Sequence, residues 1–188
     1  IPYPYPMAMD NSNLIWVDCE MTGLSLERDA LVEIAVLATD SELNILGDGI
    51  ELVISCSDEA LSQMSEVVRS MHTQSGLLPL IKGGTTLAKA EEQILEYLAD
   101  HTAAGKSPLA GNSVWMDRNF IMRDMPRLGE WLHYRTVDVS SIKELARRWY
   151  PKTFFNAPKK TGNHRALGDI RDSIEELKYY RGAIFNAS

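Results

Sequence analysis

The most constraining feature of this chain is an apolar run that ends in two acids, Leu14-Ile15-Trp16-Val17-Asp18-Cys19-Glu20. Leu14–Asp18 reads as a buried strand, with the two acids on it or just past its end, and side chains two residues apart on a strand point to the same side. Asp18 and Glu20 therefore share a face next to the core. Two anions held that close repel, and a fold tolerates them best with positive charge between them. A divalent cation with oxygen ligands meets that need, so the pair points to metal-dependent phosphoryl-transfer chemistry.

Further strands and helices can be placed around this start. Leu31–Thr39 (LVEIAVLAT) is apolar and β-branched, and predicts a second, buried strand; Ile45–Ile54 predicts a third, with Asp40–Asn44 as a hairpin-like link. The first three strands are expected to be antiparallel neighbours. Asp58–Met71 then has mixed helical spacing. In Thr85–His101, Leu87, Ala90, Ile94, Leu98 and His101 step by three or four onto one helix face. Ser107–Asn112 predicts a short strand ending in a Gly-Asn turn, and Asp117–Met125 a helix broken by Pro126. Thr136–Val139 predicts another strand, with Ser140 as N-cap of a helix running to about Trp149. Tyr150–Asn163 reads as an exposed loop. A last helix spans His164–Ile184, with Leu167, Ile170, Ile174 and Leu177 as its buried stripe. Strands first, then alternating helices and short strands, give an α/β sandwich around a mixed sheet.

Length fits one domain of 188 residues. Ile1–Ala8 (IPYPYPMA) reads as an artificial or disordered extension, which leaves residues 9–188 as the domain. No apolar run reaches the ~18–20 residues that span a bilayer, so no membrane role is expected. Cys19 and Cys56 are too few for a disulfide scaffold and lack zinc-site spacing. A reducing compartment fits, with the cytosol as default and a mitochondrial copy as the alternative if a native N-terminus was trimmed. The net charge of −7 argues against a grip on long nucleic acid. A short piece, with metal supplying positive charge, remains compatible. Lys143, Arg147, Arg148, Lys152, Lys159, Lys160 and Arg165 cluster late, and read equally well as a solvated mixed-charge face.

Four places can carry the chemistry: Asp18 with Glu20; Asp117 after the turn Gly111-Asn112-Ser113; His164 at the start of the last helix; and Asp169 within its first turns. Taken singly, Asp117 reads as an N-cap, His164 as a surface histidine and Asp169 as an acid favoured by the helix dipole. The adjacent acids are harder to dismiss, because burying them unpaired costs several kcal/mol. Together the residues make a two-metal site for phosphodiester hydrolysis, with the metals about 4 Å apart. A histidine can take the proton of the attacking water.

Four segments carry a family resemblance: WVDCEMTGL (Trp16–Leu24), AGNSVWMD (Ala110–Asp117), HYRTVDVSSIKELARRWYP (His133–Pro151) and HRALGDIRDSIEELKYYR (His164–Arg181). They resemble oligoribonuclease, a family of DEDDh 3′→5′ exonucleases with an RNase H-like fold, a mixed five-stranded sheet flanked by helices. The resemblance implies Asp18, Glu20, Asp117 and Asp169 as metal ligands, His164 as general base, and two Mg²⁺ or Mn²⁺ ions. The implied substrates are RNA fragments of about 2–5 nucleotides, trimmed from the 3′ end to 5′-mononucleotides. By the same resemblance Leu24 wedges against bases and Ser113 contacts substrate. The chain is expected to form a homodimer in which Tyr134 stacks on a base in the partner's site, while Arg135 and Ser140 hold the 5′ phosphate.

Two positions depart from the family pattern. Val67 stands where the resemblance puts a Trp, so either substrate binding is weaker here or another residue such as Trp115 or His72 compensates. Gly168 replaces an acidic neighbour of Asp169, as natural variation or an engineered change. Two other readings compete: a DNA-proofreading exonuclease with the same five residues, and a non-catalytic nucleic-acid-binding protein on the same fold.

Overall fold

A computed structural model describes residues 12–159 and 165–185. The extension Ile1–Ala8 and the proposed base His164 lie outside the described residues. Five strands form one sheet: β1 (Leu14–Met21), β2 (Leu31–Thr39), β3 (Ile45–Val53), β4 (Pro108–Gly111) and β5 (His133–Asp138). Their order is β3-β2-β1-β4-β5. β1 pairs antiparallel with β2, and β2 antiparallel with β3; β1 pairs parallel with β4, and β4 parallel with β5. The expected mixed five-stranded sheet is present.

Eight α-helices pack around this sheet among the described residues: α1 (Asp58–Ser62), α2 (Glu66–Gln74), α3 (Leu87–Ala99), α4 (Trp115–Asp124), α5 (Pro126–Trp131), α6 (Val139–Trp149), α7 (Pro151–Phe155) and α8 (Ala166–Ile184), with a 3₁₀ turn at Leu78–Gly83. The sheet has two covered faces. Ile15, Val17, Cys19, Ile34 and Val36 pack with residues of α3, α4 and α5. The alternate residues Trp16, Ala35 and Leu37 pack with Val139 and Ala146 of α6 and with Ile170, Ile174, Leu177 and Tyr180 of α8. Every residue of β2 is buried, which explains its continuous apolar run. By strand alternation, Asp18 and Glu20 fall on the α8 face. No helix among the described residues is long and apolar enough to cross a membrane.

Several local expectations are corrected. The N-cap of α6 is Asp138, not Ser140; its extended backbone and carboxylate capture Ser140 N–H. The region Asp58–Met71 splits into α1 and α2, because Ser65 starts a new helix by accepting from Val68 N–H. Pro126 ends α4 and also opens α5, since a missing N–H costs nothing at a first helical position. Pro151 does the same for α7, which occupies part of the expected loop Tyr150–Asn163.

Candidate active site

β1 continues to Met21, past the strand end suggested by its apolar run, so both Asp18 and Glu20 sit on regular strand. α8 crosses behind β1 and delivers Asp169 from its first turn. One carboxylate oxygen each from Asp18, Glu20 and Asp169 lies within 4.8 Å of the others. All three residues are half-buried.

Asp117 approaches from the opposite side of the sheet. It lies in the first turn of α4, is buried, and its Oδ1 accepts the Cys19 N–H at 2.8 Å. It stands beside the group of three rather than in it, held on the Cys19 backbone N–H yet close enough for its charge to act on Glu20. Gly111 makes the turn into α4 feasible: a Cβ there would meet Val114 Cγ1 at 2.2 Å and the Val17 carbonyl at 2.9 Å. Ser113 follows with φ +56, a left-handed conformation uncommon for a residue with a side chain. Its N–H donates to Asp138 Oδ1 at 2.9 Å, and Val114 N–H donates to Oδ2 at 3.2 Å. The same Asp138 Oδ1 accepts from Ser140 N–H and, at 2.6 Å, from Ser140 Oγ. One carboxylate thus ties the Ser113 turn to the start of α6.

The electrostatics show a site short of positive charge. Burial, then the carboxylates of Glu33, Asp169 and Asp117, push Glu20 up to about 8, against a smaller opposing effect of Arg165. Burial pushes Asp117 up to about 6, with the Cys19 hydrogen bond acting the other way. Burial and the surrounding carboxylates raise the Cys19 thiol further, which makes it an inert filler. A cluster of hard oxygen donors that holds protons near neutral pH fits an oxophilic divalent cation.

The other expected residues divide into exposed and enclosed. Leu24 is 66% exposed and Tyr134 73% exposed; Ser113 and Arg135 are exposed as well. The Arg135 guanidinium lies 5.4 Å from the Tyr134 ring centroid. Val67 is 79% exposed on α2, and Trp115 is exposed at the start of α4. His72 is the exception. It is 1% exposed, its Nε2 lies 2.8 Å from the Met21 carbonyl, and its Nδ1 lies 3.8 Å from Glu20 Oε2. That ring offers no stacking face to a base; it lies behind Glu20 and steadies the end of β1. The late basic cluster is largely spoken for: Lys143 pairs with Glu176, Arg147 and Arg148 with Glu144, and Arg165 with Glu33.

Sequence reading missed Glu33 and Asp138. A signal existed for Glu33, the one charge inside the apolar strand LVEIAVLAT. Asp138 had only its place one residue before a helix.

The fold and the clustered acids define an exonuclease, and the exonuclease family model matches residues 15–177. The oligoribonuclease of Streptomyces griseus is 64% identical over 176 residues, covering 93% of this chain and 88% of that protein. The oligoribonuclease of Rhodococcus jostii is 58% identical over 174 residues, covering 92% and 87%. The chain belongs to the oligoribonuclease family. Among solved structures, a zinc-bound complex of E. coli exonuclease I with single-stranded DNA superposes with a TM-score of 0.71 at 18% identity, covering 92% of this chain. Exonuclease I from Methylocaldum szegediense gives 0.69 at 19%, covering 93%. The chain spans 41% of the length of each, and the likeness shows the shared fold.

Proposed function

We propose that this chain hydrolyses RNA of about 2–5 nucleotides, dinucleotides included, from the 3′ end to 5′-mononucleotides. The observation that carries the reading is the meeting of Asp18, Glu20 and Asp169, from two segments far apart in sequence, with Asp117 beside them. Asp18, Glu20, Asp117 and Asp169 would hold two divalent ions, Mg²⁺ or Mn²⁺. When bound, the ions supply an activated water and neutralise charge on the leaving oxygen. The protein's own part is orientation and proton transfer. Leu24 and Ser113, both exposed beside the acids in sequence, contact the terminal nucleotide. The His164 imidazole takes the proton of the attacking water as the new P–O bond forms and the P–O3′ bond breaks. The departing 3′-oxygen then gains a proton, leaving a chain one nucleotide shorter.

A homodimer completes the site. Tyr134 stacks on a base in the partner's site, and Arg135, with Ser140, holds the 5′ phosphate there. Exposed Tyr134, Trp149, Tyr150, Phe155 and Phe185 support an association surface. So does an apolar groove of about 340 Å³ between α6 and the end of α8, lined by Ile142, Leu145, Trp149, Tyr150 and Phe185. Residues 9–188 act as one exonuclease domain, and two free cysteines support a cytosolic location. The names of the relatives favour RNA over single-stranded DNA, and the retained acids disfavour a non-catalytic scaffold.

The test is a comparison of matched RNA and DNA pentamers with Mn²⁺. Faster trimming of RNA is expected; equal or faster trimming of DNA would favour the proofreading reading. For the dimer, Arg135→Ala and His164→Ala proteins are mixed. Each alone should be weak, and the mixture should regain activity, since one site in each mixed dimer is whole. No gain on mixing, with subunit exchange verified, would refute a shared site.

A further inference from the structure

α8 starts in an unusual way. Its N-cap residue is Arg165, which provides no side-chain cap. A cation at that end opposes the helix dipole, and Ser, Thr, Asp or Asn is the common choice. The first amides are satisfied instead from the sheet. Glu33 Oε2 accepts from Ala166 N–H at 3.2 Å, and Glu51 Oε1 accepts from Leu167 N–H at 2.8 Å. The same two acids hold Arg165. Glu33 Oε1 accepts from its Nε at 2.9 Å and its Nη2 at 2.6 Å, and Glu51 Oε2 lies 3.5 Å from Nη2. The Arg165 carbonyl in turn accepts the Asp169 N–H at 3.0 Å.

Glu33 is 0% exposed and is the direct cross-strand partner of Glu20. Placing a further buried anion beside three acids makes poor sense as a cap alone, since a serine at position 165 would cap the helix without that repulsion. It makes sense as a jig. The strand pairing that sets Glu20 also sets Glu33, and Glu33 grips the Ala166 amide and the Arg165 side chain at the helix start from which Asp169 hangs, while Glu51 takes the Leu167 amide.

We propose that Glu33, acting through Arg165 and assisted by Glu51, is a positioning residue that registers Asp169 against Asp18 and Glu20 and so sets the affinity of the site for its divalent ion. This rests on the metal reading above. The test is Mn²⁺ titration by calorimetry on the full chain, with kcat and KM on an RNA dinucleotide and thermal unfolding in parallel. Glu33→Gln keeps shape and an acceptor for Ala166 but loses the charge that holds Arg165. Its Mn²⁺ Kd should rise about tenfold or more, with kcat falling and KM little changed. Arg165→Gln should do the same, and the double variant should be no worse than either single one. A lowered Tm with unchanged Mn²⁺ Kd and kcat would make Glu33 a mere cap and overturn the proposal, as would additive losses in the double variant. If Glu33→Gln does not fold, the half-buried Glu51→Gln decides: a smaller loss of Mn²⁺ affinity supports the jig, and none overturns it. A wild-type chain that binds no Mn²⁺ would overturn the metal reading, and the jig with it; wild-type binding with unaltered variants would overturn the jig alone.

Discussion

The Cys19 backbone N–H donates to Asp117 Oδ1 at 2.8 Å, across 98 residues of chain. This bond pins the start of α4 to the stretch of β1 between Asp18 and Glu20. It also leaves Asp117 charged at a cost, because burial pushes its carboxyl up to about 6. Asp117→Asn retains an acceptor for Cys19 and removes the anion. The metal-free variant is expected to be more stable than wild type at pH 8, by about 1–3 kcal/mol, while turnover falls by more than the ~10–100-fold typical of losing a supporting residue. Denaturant unfolding without metal and steady-state kinetics with Mn²⁺ check the two halves. A destabilised variant of normal turnover would mean that Asp117 is structural.

Stability of the metal-free protein should depend on pH in a direction opposite to that of most acidic sites. Glu20 holds its proton up to about 8 in the fold, against an ordinary value of 4.5. Between those values the folded state binds a proton that the unfolded chain has released, so stability falls as pH rises. The contribution is fully present below about 4.5 and is lost progressively as pH climbs through 8; Asp117 adds the same sign up to about 6. Mn²⁺ must displace these protons, so its affinity should rise over the same window. Urea midpoints from pH 5 to 8, with and without Mn²⁺, check both. Metal-free stability that climbs over this range would contradict the protonated cluster.

His72 should matter for rate and stability without touching substrate. His72→Ala removes the ring that meets the part-buried Met21 carbonyl, a loss of about 1 kcal/mol, and frees Glu20 on one side. Lower kcat with KM for RNA held steady is expected. A rise in KM alone would restore His72 to a substrate-binding role.

Val67 is 79% exposed on α2, at the position where the resemblance puts a Trp. Val67→Trp should leave unfolding nearly unchanged and tighten RNA binding by about 1–3 kcal/mol, the worth of one base–aromatic stack. Fluorescence titration with a dinucleotide, in the absence of metal turnover, measures it. Unchanged affinity would mean that the stacking demand is met elsewhere, with exposed Trp115 the first residue to replace.

Much of this was legible in the sequence because the relevant patterns are local. Leu31–Thr39 is apolar but for Glu33 and Thr39 since both faces of β2 are covered, and its bounds could be read directly. Asp18 and Glu20 declared themselves by the cost of placing two acids against a core. Short helices were harder. α1, α5 and α7 have five or six residues, too few to show a period, and their limits are set by Ser57, Pro126 and Pro151. The supporting groups were hidden for a different reason. Asp138, Glu33 and His72 act through backbone amides and carbonyls 24 to 133 residues away, and no spacing along the chain encodes such a partner.

These carboxylates are proposed to hold the metal ions with which the chain removes nucleotides from the 3′ end of short RNA. The most direct measurement follows a 5′-labelled RNA pentamer through time with Mn²⁺, with chelator, and with Asp18→Asn protein. The expected result is a label that steps down one nucleotide at a time to the mononucleotide, only with metal and only with the intact chain. Label released as mononucleotide at once, or the same ladder in chelator or with Asp18→Asn, would contradict it.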